Sequence, residues 1–466
     1  MRGGFVLVFK VSAGVLLKSL LNDGHWEKGM GRYFGKKAQD LAYQGNVLID
    51  GVSQRLGIDV RYFVNGGFWI GTGYVCIALL RLVQIIVLAR LMDQELYGQY
   101  QFVLATITAV IVFSLPSMDG AITQSVARGY SSSLVSGTRE KLKWSLLGSL
   151  VLLGVGVFFR VVMPLPIWHI FLLAAIFFPT YSGFTAVITF YYGKQEFAKG
   201  TFYDVLPEIA STGALIGGFL LTKSLAVMIG LMMVLVSGVY CGIYARAKHE
   251  IKETKPDKGL VSFGRNLTFS TVLSSISPYV DKFVIASVVG FEGLAVYAVA
   301  MSVTSYLSVS GTLLSTLLLP KLSRANARQA GKIKRFFWWV VLAVAAGVCV
   351  LVVVLPRVMR AVFSEKYGAS IPYAQVALAS LVFLIPSSIL SSYFQSRRQR
   401  KVLYAHNLSS GVVNLVLLAV FVPLLGTFGA VLSKVLLGFW RLVFLGVSFH
   451  LWVRYPKVLL RKLNPK

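Results

Sequence analysis

Asp281 and Lys282 stand side by side in SPYVDKFVIASVVG (277–290), a run that otherwise offers water nothing. An ionised group at mid-membrane costs about 2.5–3.5 kcal/mol on insertion scales, so each needs a partner, a cavity or an escape to the interface. Three further cations sit in comparable apolar runs: Arg81, Lys434 and Arg441. Lys434, Gly438 and Arg441 share one helical face, and the glycine leaves room there for a bulky group. Cations on such a face can replace water around an anion. Adjacent helical residues point about 100° apart, so Asp281 and Lys282 are expected to find partners on other helices. Asp281 then either carries a coupling ion or forms half of a structural ion pair. Asp204 and Glu208 share a face and read as boundary carboxylates.

Neutral hydroxyls extend this polar inventory. MSVTSYLSVSGTLLSTLLLP (301–320) places Ser305, Ser308, Thr312 and Ser315 at helical spacing, and Ser270, Ser274 and Ser277 precede the charged pair. Such stripes either line a wet cavity suited to a hydroxyl-rich ligand or let helices pack closely. Pro179, Pro278 and Pro386 are placed to kink their helices and free carbonyls.

Other chemistry finds little support. Cys76, Cys241 and Cys349 are odd in number and fall in apolar runs, against a disulfide framework or zinc cluster. The five histidines, at 25, 169, 249, 406 and 450, have no carboxylate or cysteine at ligand spacing. No phosphate-binding glycine loop is present. No catalytic residue and no metal site is expected, and no cofactor beyond a coupling proton or sodium ion.

The elements that hold these residues are membrane helices. Of 466 residues 56% are hydrophobic and 14% charged, with a mean hydropathy of +0.71, which excludes a soluble globule. A bilayer core about 30 Å thick takes about 20 residues of helix. Twelve stretches qualify: 66–91, 99–122, 144–164, 167–191, 201–222, 223–245, 262–289, 293–318, 336–356, 372–395, 403–424 and 427–453. The net charge of +28 follows this topology. Of the 46 Lys and Arg, 36 fall in the N-terminal tail, the even-numbered loops and the C-terminal tail, and six in the odd-numbered loops and their flanks. The positive-inside rule then puts both termini in the cytoplasm and makes the helix count even; the protein is expected in the cytoplasmic membrane. The same basic loops would meet anionic lipid, so no nucleic-acid partner is expected.

The chain is expected to divide into a cytoplasmic extension (1–64), an N-lobe of six helices (65–245), a basic loop (246–261), a C-lobe of six helices (262–453) and a basic tail (454–466). FVLVFKVSAGVLLKSLL (5–21) reads as an amphipathic helix lying on the inner leaflet. VLARLMDQELYGQY (87–100) repeats as VIASVVGFEGLAVY (284–297) at an offset of 197, matching Val87 with Val284, Ala89 with Ala286, Glu95 with Glu292 and Tyr100 with Tyr297. Six helices separate the copies, so the halves run parallel, with a cavity expected between them.

In order and spacing, ARLMDQELYGQY (89–100), YVDKFVIASVVGFEGLAVYAVA (279–300), LLLPKLSRA (317–325), VFSEKYGASIPYAQVALASLVF (362–383) and FVPLLGTFGAVLSKVL (421–436) resemble the polysaccharide flippases of the multidrug/oligosaccharidyl-lipid/polysaccharide superfamily. The resemblance covers about residues 61–453. It implies two six-helix lobes, a V-shaped central cavity, alternating access and a substrate whose oligosaccharide hangs from a polyprenyl pyrophosphate. Asp281 matches an acidic residue common in the family's seventh helix, and cavity cations are common in the family at varying positions. Arg81, Lys282, Lys434 and Arg441 are then expected to meet the phosphates, Ser305, Ser308 and Thr312 the sugar, and the lipid tail a gap between the lobes. The resemblance also implies partners among membrane lipids and polysaccharide assembly proteins. The rival readings are a lipid II flippase, whose branch usually has fourteen helices, a cation-coupled multidrug exporter, which would favour an acidic cavity, and a non-transporting scaffold.

Overall fold

A computed structural model of the protein describes residues 60–251, 257–324, 330–397 and 399–454. Side chains at 60–65, 274, 310, 312–336, 400 and 452–454 lie outside that description, as do the helix expected at 5–21 and the basic tail from 455. Regular structure among the described residues is helical throughout. The first half builds α1 (Val60–Leu91), α2 (Gln94–Val110, continued by a 3₁₀ turn at Ile111–Ser114), α3 (Met118–Ala127), α4 (Ser133–Val161), α5 (Trp168–Gly183), α6 (Ala186–Gly193), α7 (Phe197–Thr222) and α8 (Leu225–His249). The second builds α9 (Leu260–Val288), α10 (Phe291–Arg324), α11 (Ala330–Phe363) and α12 (Ser370–Ser396). A last run, Arg400–Arg454, is divided by Gly426 at φ 60° into α13 (400–425) and α14 (427–454).

Helix is dictated here because hydrocarbon gives the backbone no other partner. Ten described runs are long and apolar enough to cross a bilayer, and the run divided at Gly426 supplies two of the spans. Serines and charges keep α9 below that apolarity, yet its 29 residues reach about 43 Å at 1.5 Å per residue. With α3 continuing α2 and α5–α6 forming one broken span, the twelve expected spans are all present as helices. Large apolar side chains such as Leu221 and Leu424 stay exposed, as lipid-facing residues do.

Two departures from the expected boundaries bear on the packing. Helix α4 begins at Ser133 rather than near 144, because the polar segment ahead of the apolar run keeps the helical conformation. Lys141, counted among the loop cations, therefore lies inside α4 and is 1% exposed. Its ammonium meets the Asp119 carboxylate at 2.5 Å and the Thr185 hydroxyl at 2.6 Å. That contact ties α4 to the start of α3, after left-handed Leu115, and to the break between α5 and α6. The break in the fourth span comes at 184–185, beyond Pro179, which remains inside α5.

The repeat is exact in register at its helix ends. Helices α1 and α9 end at Leu91 and Val288, and α2 and α10 begin at Gln94 and Phe291, each pair at the offset of 197. Asp93 caps α2 by accepting from the Leu96 N–H at 2.7 Å, whereas Gly290 takes that place in the second copy at φ 96°. The two halves meet where α10 packs along α2 and where α9 packs against α3 and α2. A Cβ on Gly98 would run into the Phe291 carbonyl, so only glycine permits this approach.

Candidate functional site

A cavity of about 700 Å³ lies where α1 and α2 face α9, α10 and α12–α14. Arg81, Asp281, Lys282, Lys434, Arg441, Ser305 and Ser308, drawn from positions up to 360 residues apart, all line it. The Thr312 side chain lies outside the described residues.

Asp281 and Lys282 point to different neighbours, as the helical geometry requires. Asp281 is 4% exposed, and its carboxylate meets Lys434 on α14 at 3.1 Å. It also accepts from the Tyr297 hydroxyl on α10 and from the Lys282 N–H at 3.0 Å. Lys282 reaches across to α2, donating to Gln101 Oε1 at 3.0 Å. The repeat explains the Tyr297 contact. In the first half Gln84 donates to Tyr100 at 2.7 Å; an offset of 197 carries Gln84 to Asp281 and Tyr100 to Tyr297. The second half has thus placed a carboxylate where the first has a neutral amide, and Lys434 answers its charge.

Arg81 forms a second ion pair, donating through Nε to Glu208 on α7 at 2.6 Å. Its side chain is 60% exposed and that of Glu208 16%. Glu208 lines a smaller cavity of about 220 Å³ with Asp204 and Arg81. Asp204 accepts from the Tyr192 hydroxyl at 3.3 Å, so both carboxylates face the interior of the first half rather than a simple boundary. Lys282 and Arg441 have no carboxylate partner among the described residues. Arg441 Nε is buried without a hydrogen bond among the described residues, as are Thr304 Oγ1, Ser410 Oγ and Asn414 Oδ1, which line the same cavity. Buried polar groups are normally satisfied, so these four atoms on α10, α13 and α14 stand out in the cavity lining. Gly438 corrects one expectation: an added Cβ would touch Phe383 and the Ser380 carbonyl, so α12 occupies the space that glycine leaves.

One end of the seam is closed by reciprocal contacts. Arg90, at the end of α1, donates to the Val362 carbonyl at 2.6 Å and to that of Ala361. Lys366 donates back to the Arg90 carbonyl at 2.8 Å and to that of Met92. Each cation caps carbonyls that a helix end leaves without internal partners. Tyr97 and Tyr367 pack edge-to-face behind them.

A family model described as polysaccharide biosynthesis protein matches residues 63–326, more than half of the chain. The protein belongs to that family. Comparison with curated proteins finds no match. Among solved structures, the chain is similar to an inward-facing multidrug resistance MATE family transporter of the MOP superfamily, at 15% identity and a TM-score of 0.59 over 84% of this chain and 96% of that one. It is also similar to the lipid II flippase MurJ in an inward closed conformation, at 13% identity and 0.60 over 82% and 87%. A MOP superfamily transporter from Pyrococcus furiosus Vc1, described as having a binding pocket of reverse polarity, matches at 17% identity and 0.57 over 84% and 94%. At such identities the likeness establishes a shared fold, that of multi-pass MOP transporters.

Of the residues singled out from sequence, the four cations, Asp281, Ser305 and Ser308 converge in one cavity. Ser305 and Ser308 donate to carbonyls of their own helix at 2.9 and 2.7 Å, leaving oxygen lone pairs for a ligand. The sequence reading missed Gln101, Tyr297 and the α13 face of Asn407, Ser410 and Asn414. The last was legible, since 407, 410, 411 and 414 follow helical spacing in NLSSGVVN.

Proposed function

We propose that the protein flips a lipid-linked oligosaccharide, a glycan on polyprenyl pyrophosphate, across the cytoplasmic membrane by alternating access for cell-surface polysaccharide synthesis. The observation that carries this reading is the cavity's charge: among the described residues four cations and one carboxylate line it, and Lys434 is already held by Asp281. Lys282 and Arg441 are left to meet an anion. A pyrophosphate loses its water on entering hydrocarbon at a prohibitive cost. Guanidinium and ammonium donors compensate that loss most strongly, through charge-assisted hydrogen bonds. Hydroxyls and amides on α10 and α13 suit a glycan, and the lipid chain stays outside the polar cavity. Under the positive-inside orientation the Arg90–Lys366 end faces outward, so release on that side requires those contacts to part.

The excess of positive charge argues against a cationic drug as cargo. Translocation in proteoliposomes tests the proposal, with a fluorescent polyprenyl-pyrophosphate oligosaccharide and a cationic dye offered together. Movement of the glycolipid alone is expected, and it should fall at least tenfold in Arg441→Ala. Movement of the dye alone would overturn the reading.

A further inference from the structure

One face of α2 holds the second half at two levels. Toward the cavity, Lys282 on α9 donates to Gln101 Oε1 at 3.0 Å, and the Gln101 amide donates in turn to the Tyr97 hydroxyl at 3.0 Å. Nearer the start of α2, Tyr97 packs edge-to-face on Tyr367 and Gln94 donates to the Lys366 carbonyl. Gln94, Tyr97 and Gln101 are spaced three and four apart, so they form one stripe of helix about 10 Å long. Between Tyr97 and Gln101, Gly98 brings α2 against the Phe291 carbonyl with no room for a Cβ. A helix tied at both ends of a stripe and touching its neighbour at one point in between turns as a single body.

The two ends of the stripe differ. Lys282 and Gln101 both line the large cavity, and the acceptor that holds this ammonium is a neutral amide. An anion attracts an ammonium through its full charge and an amide only through its dipole, so an anion entering the cavity draws Lys282 from Gln101. At the other end, Lys366 caps the Arg90 and Met92 carbonyls and closes the seam. None of Arg90, Gln94 and Lys366 is among the described residues that line the cavity, whereas α2 touches both the cavity and this clasp. We infer that α2 couples the two: when Lys282 exchanges the Gln101 amide for the anionic group of the substrate, α2 turns about Gly98 and loosens the Arg90–Lys366 clasp. Gln101 is then a positioning residue for release, acting through Lys282 and α2 rather than on the substrate. This rests on the large cavity being an anion site, as proposed above. Such coupling is reciprocal, so whatever opens the clasp tightens anion binding.

The test uses the full chain in nanodiscs with inorganic pyrophosphate as probe, titration calorimetry for its Kd, and spin labels at positions 95 and 365 on a chain whose Cys76, Cys241 and Cys349 are replaced by alanine. Saturating pyrophosphate is expected to lengthen and broaden the label distance. Gln101→Leu removes the amide that competes for Lys282, so pyrophosphate should bind about fivefold more tightly, the net worth of one hydrogen bond, and the longer distance should be present without it. A residue that merely supported the fold or touched the substrate would weaken binding when lost. Gln101→Glu gives Lys282 an ionic partner and should weaken binding and hold the distance short. Arg90→Ala with Lys366→Ala opens the clasp from its far end and should also tighten binding severalfold, which keeps the test decisive should the Gln101 variants fold poorly. A distance unmoved by saturating pyrophosphate, weaker binding in a folded Gln101→Leu, or an unchanged Kd in the clasp variant would each overturn the coupling while leaving the anion site standing. Absence of pyrophosphate binding to the wild type would overturn both.

Discussion

Replacing Asp281 by Asn keeps the shape of the side chain and removes its charge, which isolates the value of the Asp281–Lys434 pair. At 3.1 Å and an effective dielectric of about 20, two unit charges attract by about 5 kcal/mol. Desolvation opposes much of this, and breaking a fully buried pair costs about 3–5 kcal/mol. Lys434 is 18% exposed on the cavity wall, where water relieves part of the stranded charge, so Asp281→Asn is expected to cost about 2–3 kcal/mol. Lys434→Met strands a carboxylate that keeps the Tyr297 hydroxyl and the Lys282 N–H as donors, and should cost a similar amount. With both charges removed, neither partner of this pair is left stranded. The double variant should lose at least about 1.5 kcal/mol less than the sum of the singles, well beyond the roughly 0.5 kcal/mol scatter of independent sites. Equilibrium unfolding in mixed micelles by SDS titration measures all four species. Additive losses would refute the pair as a structural link between α9 and α14 and return Asp281 to the coupling role.

The closed end of the seam predicts a conformational effect: Arg90→Ala with Lys366→Ala removes its reciprocal carbonyl caps. Spin labels at exposed positions 95 and 365 should then show a broader and longer distance distribution, and an unchanged distribution would deny these contacts a closing role. Gly98→Ala places a methyl against the Phe291 carbonyl and should separate α2 from α10 or abolish folding; a wild-type melting profile would contradict the packing. Because Lys434 is already paired and Arg441 is not, Lys434→Gln should weaken pyrophosphate binding less than Arg441→Gln does, as titration calorimetry would show. In the loop between the halves, the Ser125 hydroxyl, the Gly259 N–H and Arg128 hold the Asp257 carboxyl below its ordinary range. A lowered pKa contributes stability that is complete above about pH 5 and lost as pH falls through the folded-state value. The melting difference between wild type and Asp257→Asn should therefore be present at neutral pH and shrink below about pH 4; a pH-independent difference would exclude this linkage.

Much of the architecture was legible before any fold was known. Apolar run length sets the number of spans, because a bilayer demands about 20 residues of internally bonded helix. The 197-residue offset identified α1–α2 and α9–α10 as copies, down to Tyr100 and Tyr297. The cost of charge in hydrocarbon marked Arg81, Asp281, Lys282, Lys434 and Arg441 as residues in need of partners or water. Hydropathy misled at Lys141, since a helix can continue past the end of its apolar run and turn a loop cation into a buried one. Partners were beyond reach, because periodicity names the face of a helix and not the helix opposite it. Only the tertiary structure joined Asp281 to Lys434, Lys282 to Gln101, Arg81 to Glu208 and Lys141 to Asp119. It also gave the space beside Gly438 to α12 and placed Arg81 on the wall between two cavities. These pairings depend on contacts between residues 22 to 181 positions apart, and which of them form is decided by how the helices pack together, a property of the assembled bundle rather than of any one segment.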